Sequence, residues 1–153
     1  MASPIFRIVL KSFLTGDIMT DKDLLLLAVK AMQKSYSPYS DCKVGAALLC
    51  ENGKIFTGTN IENASFSPTV CAERVAFFKA ISEGEKSFRK IAVAGGKNGV
   101  MNGIFAPCGV CRQVMREFCN DDFEIILGES ETEFKKITLK ELLPCSFSPD
   151  NVR

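Results

Sequence analysis

The sequence predicts an α/β fold: a mixed five-stranded sheet with helices on both faces. Three observations carry this reading. Short apolar runs alternate with helix-like segments over residues 55–127, and a strand–helix–strand–helix–strand series implies parallel crossovers. Asn52-Gly53 lies between two apolar runs, the strongest short signal for an antiparallel hairpin. The 153 residues contain no internal repeat, low-complexity tract or linker that would split them, so one core is expected.

The elements follow in order. Thr20 is a good helix N-cap, and Asp23 stands in the first turn. The helix then carries Leu24, Leu27, Ala28 and Ala31 and runs to about residue 35, where Ser37-Pro38 breaks it. Residues 44–50 form a nearly continuous apolar run and predict a buried strand, answered across the turn by a strand at 55–59. A polar connection over 60–66 leads to a helix that Thr69 can cap and that stops at Gly84. Residues 91–94 predict the next strand and the Gly- and Asn-rich segment 95–106, apolar at its end, a loop. A helix over 108–119 follows Pro107. A strand at 123–127, a weak strand at 133–137 and a short helix at 138–143 close the chain. Residues 1–18 carry Arg7, Lys11 and several apolar residues but no small-residue cleavage pattern of a secretory signal, and read as a dispensable N-terminal extension, in preference to an organelle-targeting segment, ahead of a domain spanning 19–153.

Composition excludes several function classes. A formal charge of +1 provides no footprint for nucleic acid or a membrane surface. No apolar run approaches the ~18 residues of a membrane span. The seven cysteines are odd in number and include a tight Cys-x-x-Cys pair, which argues against a secreted disulfide framework and for a reducing, cytoplasmic setting.

The chemistry concentrates in Cys71-Ala72-Glu73 and Pro107-Cys108-Gly109-Val110-Cys111. Cys71, Cys108 and Cys111 can hold one zinc ion. Structural zinc sites close with four protein ligands, whereas catalytic sites keep three and an open position. The chain has no histidine to close the site. Both cysteine segments sit at predicted helix starts, where the helix dipole and a metal lower thiol pKa. Glu73 fits a proton shuttle beside the open position. Three thiolates leave a zinc site with net negative charge, which a nearby cation would offset. Arg74 and Arg112 are the candidates, and Arg74 is preferred as the tuning group. Cys42, Cys50, Cys119 and Cys145 lack metal-like spacing and read as small buried hydrophobes.

Taken together, these residues resemble the cytidine deaminases, specifically the small three-cysteine class acting on free nucleosides. Three thiolates with a glutamate that is not a ligand are an established pattern of zinc deaminases, matched here rather than discovered. The resemblance rests also on Ser37-Pro38-Tyr39-Ser40, Gly58-Thr59-Asn60-Ile61-Glu62-Asn63-Ala64-Ser65, Cys111-Arg112-Gln113 and Glu141-Leu142-Leu143-Pro144. It implies a three-layer α-β-α sandwich, a homotetramer with one zinc per subunit, and cytidine and 2′-deoxycytidine as substrates in pyrimidine salvage. It implies Asn60 and Glu62 as the ribose-binding pair and the backbone of Ala72 as a reader of the pyrimidine edge. Phe147 matches an aromatic that packs on the base from a neighbouring subunit. Cys42 stands where the family commonly has a base-packing Phe, and Phe66 where it often has Tyr. Phe66 and Phe147 are the candidates to compensate for Cys42.

Two rivals remain at this level. One is a deaminase of another substrate, such as blasticidin S, whose enzymes share the cysteine motifs but lack the Asn-x-Glu-Asn-Ala segment present at 60–64. The other is a non-catalytic zinc-stabilised domain, which requires a fourth ligand from Cys42, Cys50, Cys119 or Cys145.

Overall fold

A computed structural model describes residues 19–152; the extension expected over residues 1–18 lies outside the described residues. The chain runs α1 (Asp21–Met32), β1 (Cys42–Cys50), β2 (Ile55–Thr59), α2 (Ala72–Ser82), β3 (Phe88–Lys97), α3 (Gly109–Phe118), β4 (Glu124–Gly128), β5 (Phe134–Thr138) and the one-turn α4 (Leu139–Leu142). The five strands form one sheet in the order β2-β1-β3-β4-β5. β1 pairs antiparallel with both β2 and β3. β3 and β4 are parallel, joined by α3, and β5 closes antiparallel on β4. The hairpin and the crossover are therefore both present, in a mixed sheet.

Side chains alternate across each strand, and both faces are covered. Ala46, Leu48, Ile91, Val93 and Ile125 pack with Phe77 of α2 and Met115 of α3 in one layer. Ala47, Leu49, Ala92 and Ile126 pack with Leu24 and Ala28 of α1 in the other. Burial on both sides explains why residues 44–50 read as a continuous apolar run rather than an alternating one. Two glycines let the helices lie close. A Cβ at Gly45 would stand 2.0 Å from the Ala28 carbonyl oxygen, and one at Gly58 would stand 2.2 Å from that of Ala72. α1 and α2 thus seat their backbones directly against β1 and β2.

Local boundaries differ from expectation in several places; β1, for example, begins at Cys42 and not at residue 44. α1 ends at Met32, and residues through 35 continue as a turn with Ser35 N–H donating to the Met32 carbonyl at 3.1 Å. The N-cap of α2 is Cys71. Thr69 instead uses its hydroxyl to accept the Asn63 N–H at 3.1 Å, fixing the polar connection ahead of the helix. β3 extends through Gly95 and Gly96, which were expected in a loop. Glycine is needed there because the returning loop crosses the strand: a Cβ at Gly96 would stand 1.9 Å from the Val100 carbonyl oxygen. No helix among the described residues is long and apolar enough to cross a membrane.

Candidate active site

Cys71 and Cys108 are the N-cap residues of α2 and α3, and neither side chain caps its helix. Both thiols are therefore free to turn towards each other across the two helix starts. Cys111, in the first turn of α3, completes the group and is 1% exposed. The Cys71–Cys108 sulfurs are 3.8 Å apart and the Cys108–Cys111 sulfurs 3.6 Å. Zn–S bonds of ~2.3 Å at tetrahedral angles place sulfurs about 3.8 Å apart, so the spacing fits zinc. Among the described residues this is the only such cluster of three or more metal-ligating groups, and it contains no fourth protein ligand.

Glu73 lies two residues after Cys71. On a regular helix the pair would not share a face. Cys71, however, is extended (φ −78°, ψ 157°), and only Glu73 is helical. Glu73 is 3% exposed, and its Oε2 is buried with no hydrogen-bond partner. A buried carboxylate oxygen left unsatisfied is costly unless a ligand completes it. Burial pushes the carboxyl up to about 7, and the Cys71 charge adds to the rise. A carboxyl so placed can take and return a proton near neutral pH.

A hydrogen bond from Cys111 holds the Cys71 thiol down at about 5, with Arg74 and Cys108 reinforcing it against burial. Cys111 is pushed up in turn, because Cys71 takes its hydrogen bond and burial disfavours a second thiolate. Of the two candidate arginines, Arg74 reaches the cluster, with Nη2 3.7 Å from the Cys71 sulfur and 3.3 Å from the Thr69 carbonyl. Arg112 is spent elsewhere, donating at 2.7 Å to the carbonyls of Pro107 and Leu142. The remaining cysteines do not join the group. Cys50 and Cys119 lie in the core layer beneath α2 and α3, and burial pushes the Cys50 thiol up to about 11. Cys145 is exposed.

A cleft of about 240 Å³ opens over these groups. Cys71, Glu73 and Cys108 line it together with Ser40, Asn60 and Glu62. Asn60 is braced on three sides. Its Oδ1 accepts from the Val44 N–H at 2.8 Å and the Ser35 hydroxyl at 2.6 Å, while Nδ2 donates to the Cys42 carbonyl at 2.8 Å. That leaves one amide proton of the two for a ligand. Glu62 accepts the Tyr39 N–H at 2.9 Å, the Ser40 N–H at 3.3 Å and the Ser40 hydroxyl. The Ser40 hydroxyl, with the Tyr39 amide second, holds Glu62 below the usual carboxylate range, so it is charged at neutral pH.

The other expected site residues divide. Cys42 lines the cleft wall beside Val44. Ala72, the first residue of α2, is fully buried and is not among the residues lining the cleft, though its neighbours Cys71 and Glu73 are. Phe147 is 62% exposed and does not line this chain's cleft; its carbonyl accepts from Gln113 Nε2 at 3.1 Å. Phe66 also stays outside, with its ring edge-on to Tyr39 at 6.1 Å. The residue that sequence reasoning missed is Phe105, which lines the cleft from the loop before Cys108. Its signal was the apolar pair Ile104-Phe105 ending an otherwise Gly- and Asn-rich stretch.

Fold and site define a candidate three-thiol zinc centre with a buried carboxylate beside it. Comparison with known proteins narrows the class. Residues 18–127 match the family described as the cytidine and deoxycytidylate deaminase zinc-binding region. The chain is 43% identical over 134 residues to the cytidine deaminase of Sporosarcina psychrophila, covering 88% of this chain and 96% of that one. It superposes on the crystal structure of cytidine deaminase from Burkholderia pseudomallei with a TM-score of 0.77 at 42% identity, covering 84% of this chain and all of the other. A blasticidin-S deaminase from Bacillus cereus is 33% identical over 85% of this chain and 95% of its own length. The chain belongs to the cytidine and deoxycytidylate deaminase family.

Proposed function

We propose that this protein hydrolyses the 4-amino group of cytidine and 2′-deoxycytidine, giving the uridine forms and ammonia in pyrimidine salvage. The observation that carries the reading is that one cleft brings together the thiol cluster, through Cys71 and Cys108, a buried Glu73 with an unpartnered oxygen, and Asn60 with Glu62. Cys71, Cys108 and Cys111 would hold zinc, which would supply Lewis-acid activation of water. Glu73 accepts the proton that water loses and passes it to ring N3 as C4 is attacked. It then takes the proton of the hydroxyl added at C4 and delivers it to the amine as the C4–N bond breaks, so one water enters and one ammonia leaves. Its elevated pKa suits both directions of transfer. Arg74 offsets the charge of the thiolates at Cys71.

Asn60 offers its spare amide proton, and the charged Glu62 accepts from a sugar hydroxyl, a strong directional contact. These two groups favour a nucleoside over blasticidin S. The family resemblance assigns the pyrimidine edge to the backbone of Ala72, which lies between the cleft-lining Cys71 and Glu73. The exposed ring of Phe147 supports a homotetramer in which a neighbouring subunit's aromatic reaches the base. A site that needs free thiols suits the cytoplasm. The catalytic unit is residues 19–153, with 1–18 dispensable, a reading supported by a family match that begins at residue 18.

Glu73→Ala should retain zinc yet turn over cytidine at least a hundredfold more slowly, roughly the least expected when a general acid–base is removed. Loss of cytidine absorbance measures this, and parental activity in the variant would overturn the mechanism.

A further inference from the structure

We propose that Phe105 is the wall against which the substrate's pyrimidine ring lies, making it a specificity-determining residue; this rests on the nucleoside reading above. Among the described residues, Phe105 is the one aromatic residue lining the cleft. It stands three residues before Cys108, so one loop delivers both the ring and a thiol. Gly95 of β3 makes its place. A Cβ there would stand 2.7 Å from both Cβ and Cγ of Phe105, and 2.9 Å from Cδ1. Gly95 is the cross-strand partner of Val44. Such partners project from the same face, and residues two apart on one strand share it. The ring of Phe105 therefore lies beside Val44, with Cys42 diagonal to it on that face. A thiol at Cys42 presents no flat surface to a planar base, and the neighbouring phenyl ring does. The aromatics expected to compensate are turned away: Phe66 is 72% exposed against Tyr39, and Phe147 is outside the cleft.

Gly95 and Phe105 form a matched pair under this assignment. The glycine leaves the space that the ring fills, and substituting either changes the same wall.

Steady-state kinetics of the zinc-loaded full chain on cytidine test the proposal. Phe105→Leu keeps apolar volume but removes the ring. It should raise KM about five- to a hundredfold, the range that base–aromatic stacking commands, with a smaller change in kcat and unchanged zinc content. Phe105→Tyr retains the ring and should keep KM near the parental value. Gly95→Ala displaces the ring and should raise KM in the same direction. Parental KM in Phe105→Leu, or equal impairment of the Tyr variant, overturns the assignment while leaving the function intact. A zinc-loaded parent that leaves cytidine unchanged overturns the nucleoside reading and this assignment with it.

Discussion

Glu73 shows how a common residue acquires an uncommon task. A glutamate in the first turn of a helix ordinarily faces water, and the dipole there favours its charged form. Here the first turn of α2 is pressed against β2, Glu73 is buried, and desolvation outweighs the dipole. The result is a carboxyl near 7 with one oxygen unpartnered, beside three thiols. Substituting Ala removes the proposed proton carrier without touching a proposed zinc ligand, which is why turnover should fall while zinc stays. Asn60 and Glu62 follow a similar logic. Each is immobilised by several hydrogen bonds before any ligand arrives, so these two cleft-lining groups are preorganised and little side-chain entropy remains to be lost on binding.

At the scale of elements, the site depends on two helix starts being held in register by the sheet. α2 is pinned by Gly58, over which the Ala72 carbonyl and the Ala76 amide approach to 2.2 and 2.6 Å of a would-be Cβ. Gly58→Ala should lower stability by about 1–3 kcal/mol, the usual range for overpacking, and weaken zinc retention because Cys71 moves with the helix. Thermal melts with and without chelator check both effects; a fully stable variant with parental zinc affinity would contradict the packing account. Much of this level was legible in the sequence. The apolar run at 44–50, the Asn52-Gly53 turn and the Cys-x-x-Cys helix start each carry local signals strong enough to survive folding. What was not legible depends on contacts distant in sequence. Gly95 and Gly96 look like loop residues, and only the crossing of Phe105 and Val100 explains them as strand. Thr69 has cap chemistry, but Asn63 claims its hydroxyl. Phe105 had an apolar signal but nothing local to assign it to the cleft.

Across the whole molecule, one carboxylate ties the far side of the sandwich together. Asp21, at the start of α1, meets Lys90 of β3 at 2.5 Å and Lys136 of β5 at 2.8 Å. Burial pushes its carboxyl up, but the hydrogen bonds and charges of Lys136 and Lys90 outweigh this and hold it below the ordinary 3.8. A carboxyl depressed on folding contributes stability that is full above its unfolded pKa and is lost as pH falls through its folded pKa. Asp21→Asn should therefore lower stability at pH 7 by about 1 kcal/mol, discounted for the solvent reaching Lys136, and the deficit should shrink below about pH 4. Denaturant titrations of both proteins at pH 7 and pH 3 measure this; a deficit independent of pH would contradict the linkage. The network lies at the opposite side of the sheet from the cysteines, so zinc content should not change.

The central claim is an open three-cysteine zinc site. Zinc stoichiometry across seven single Cys→Ala variants tests it most directly. The account predicts one zinc per chain in the parent, loss on substituting Cys71, Cys108 or Cys111, and retention on substituting Cys42, Cys50, Cys119 or Cys145. Loss of zinc in any one of the last four, with the fold intact, would mean a closed four-ligand site and would contradict the catalytic account.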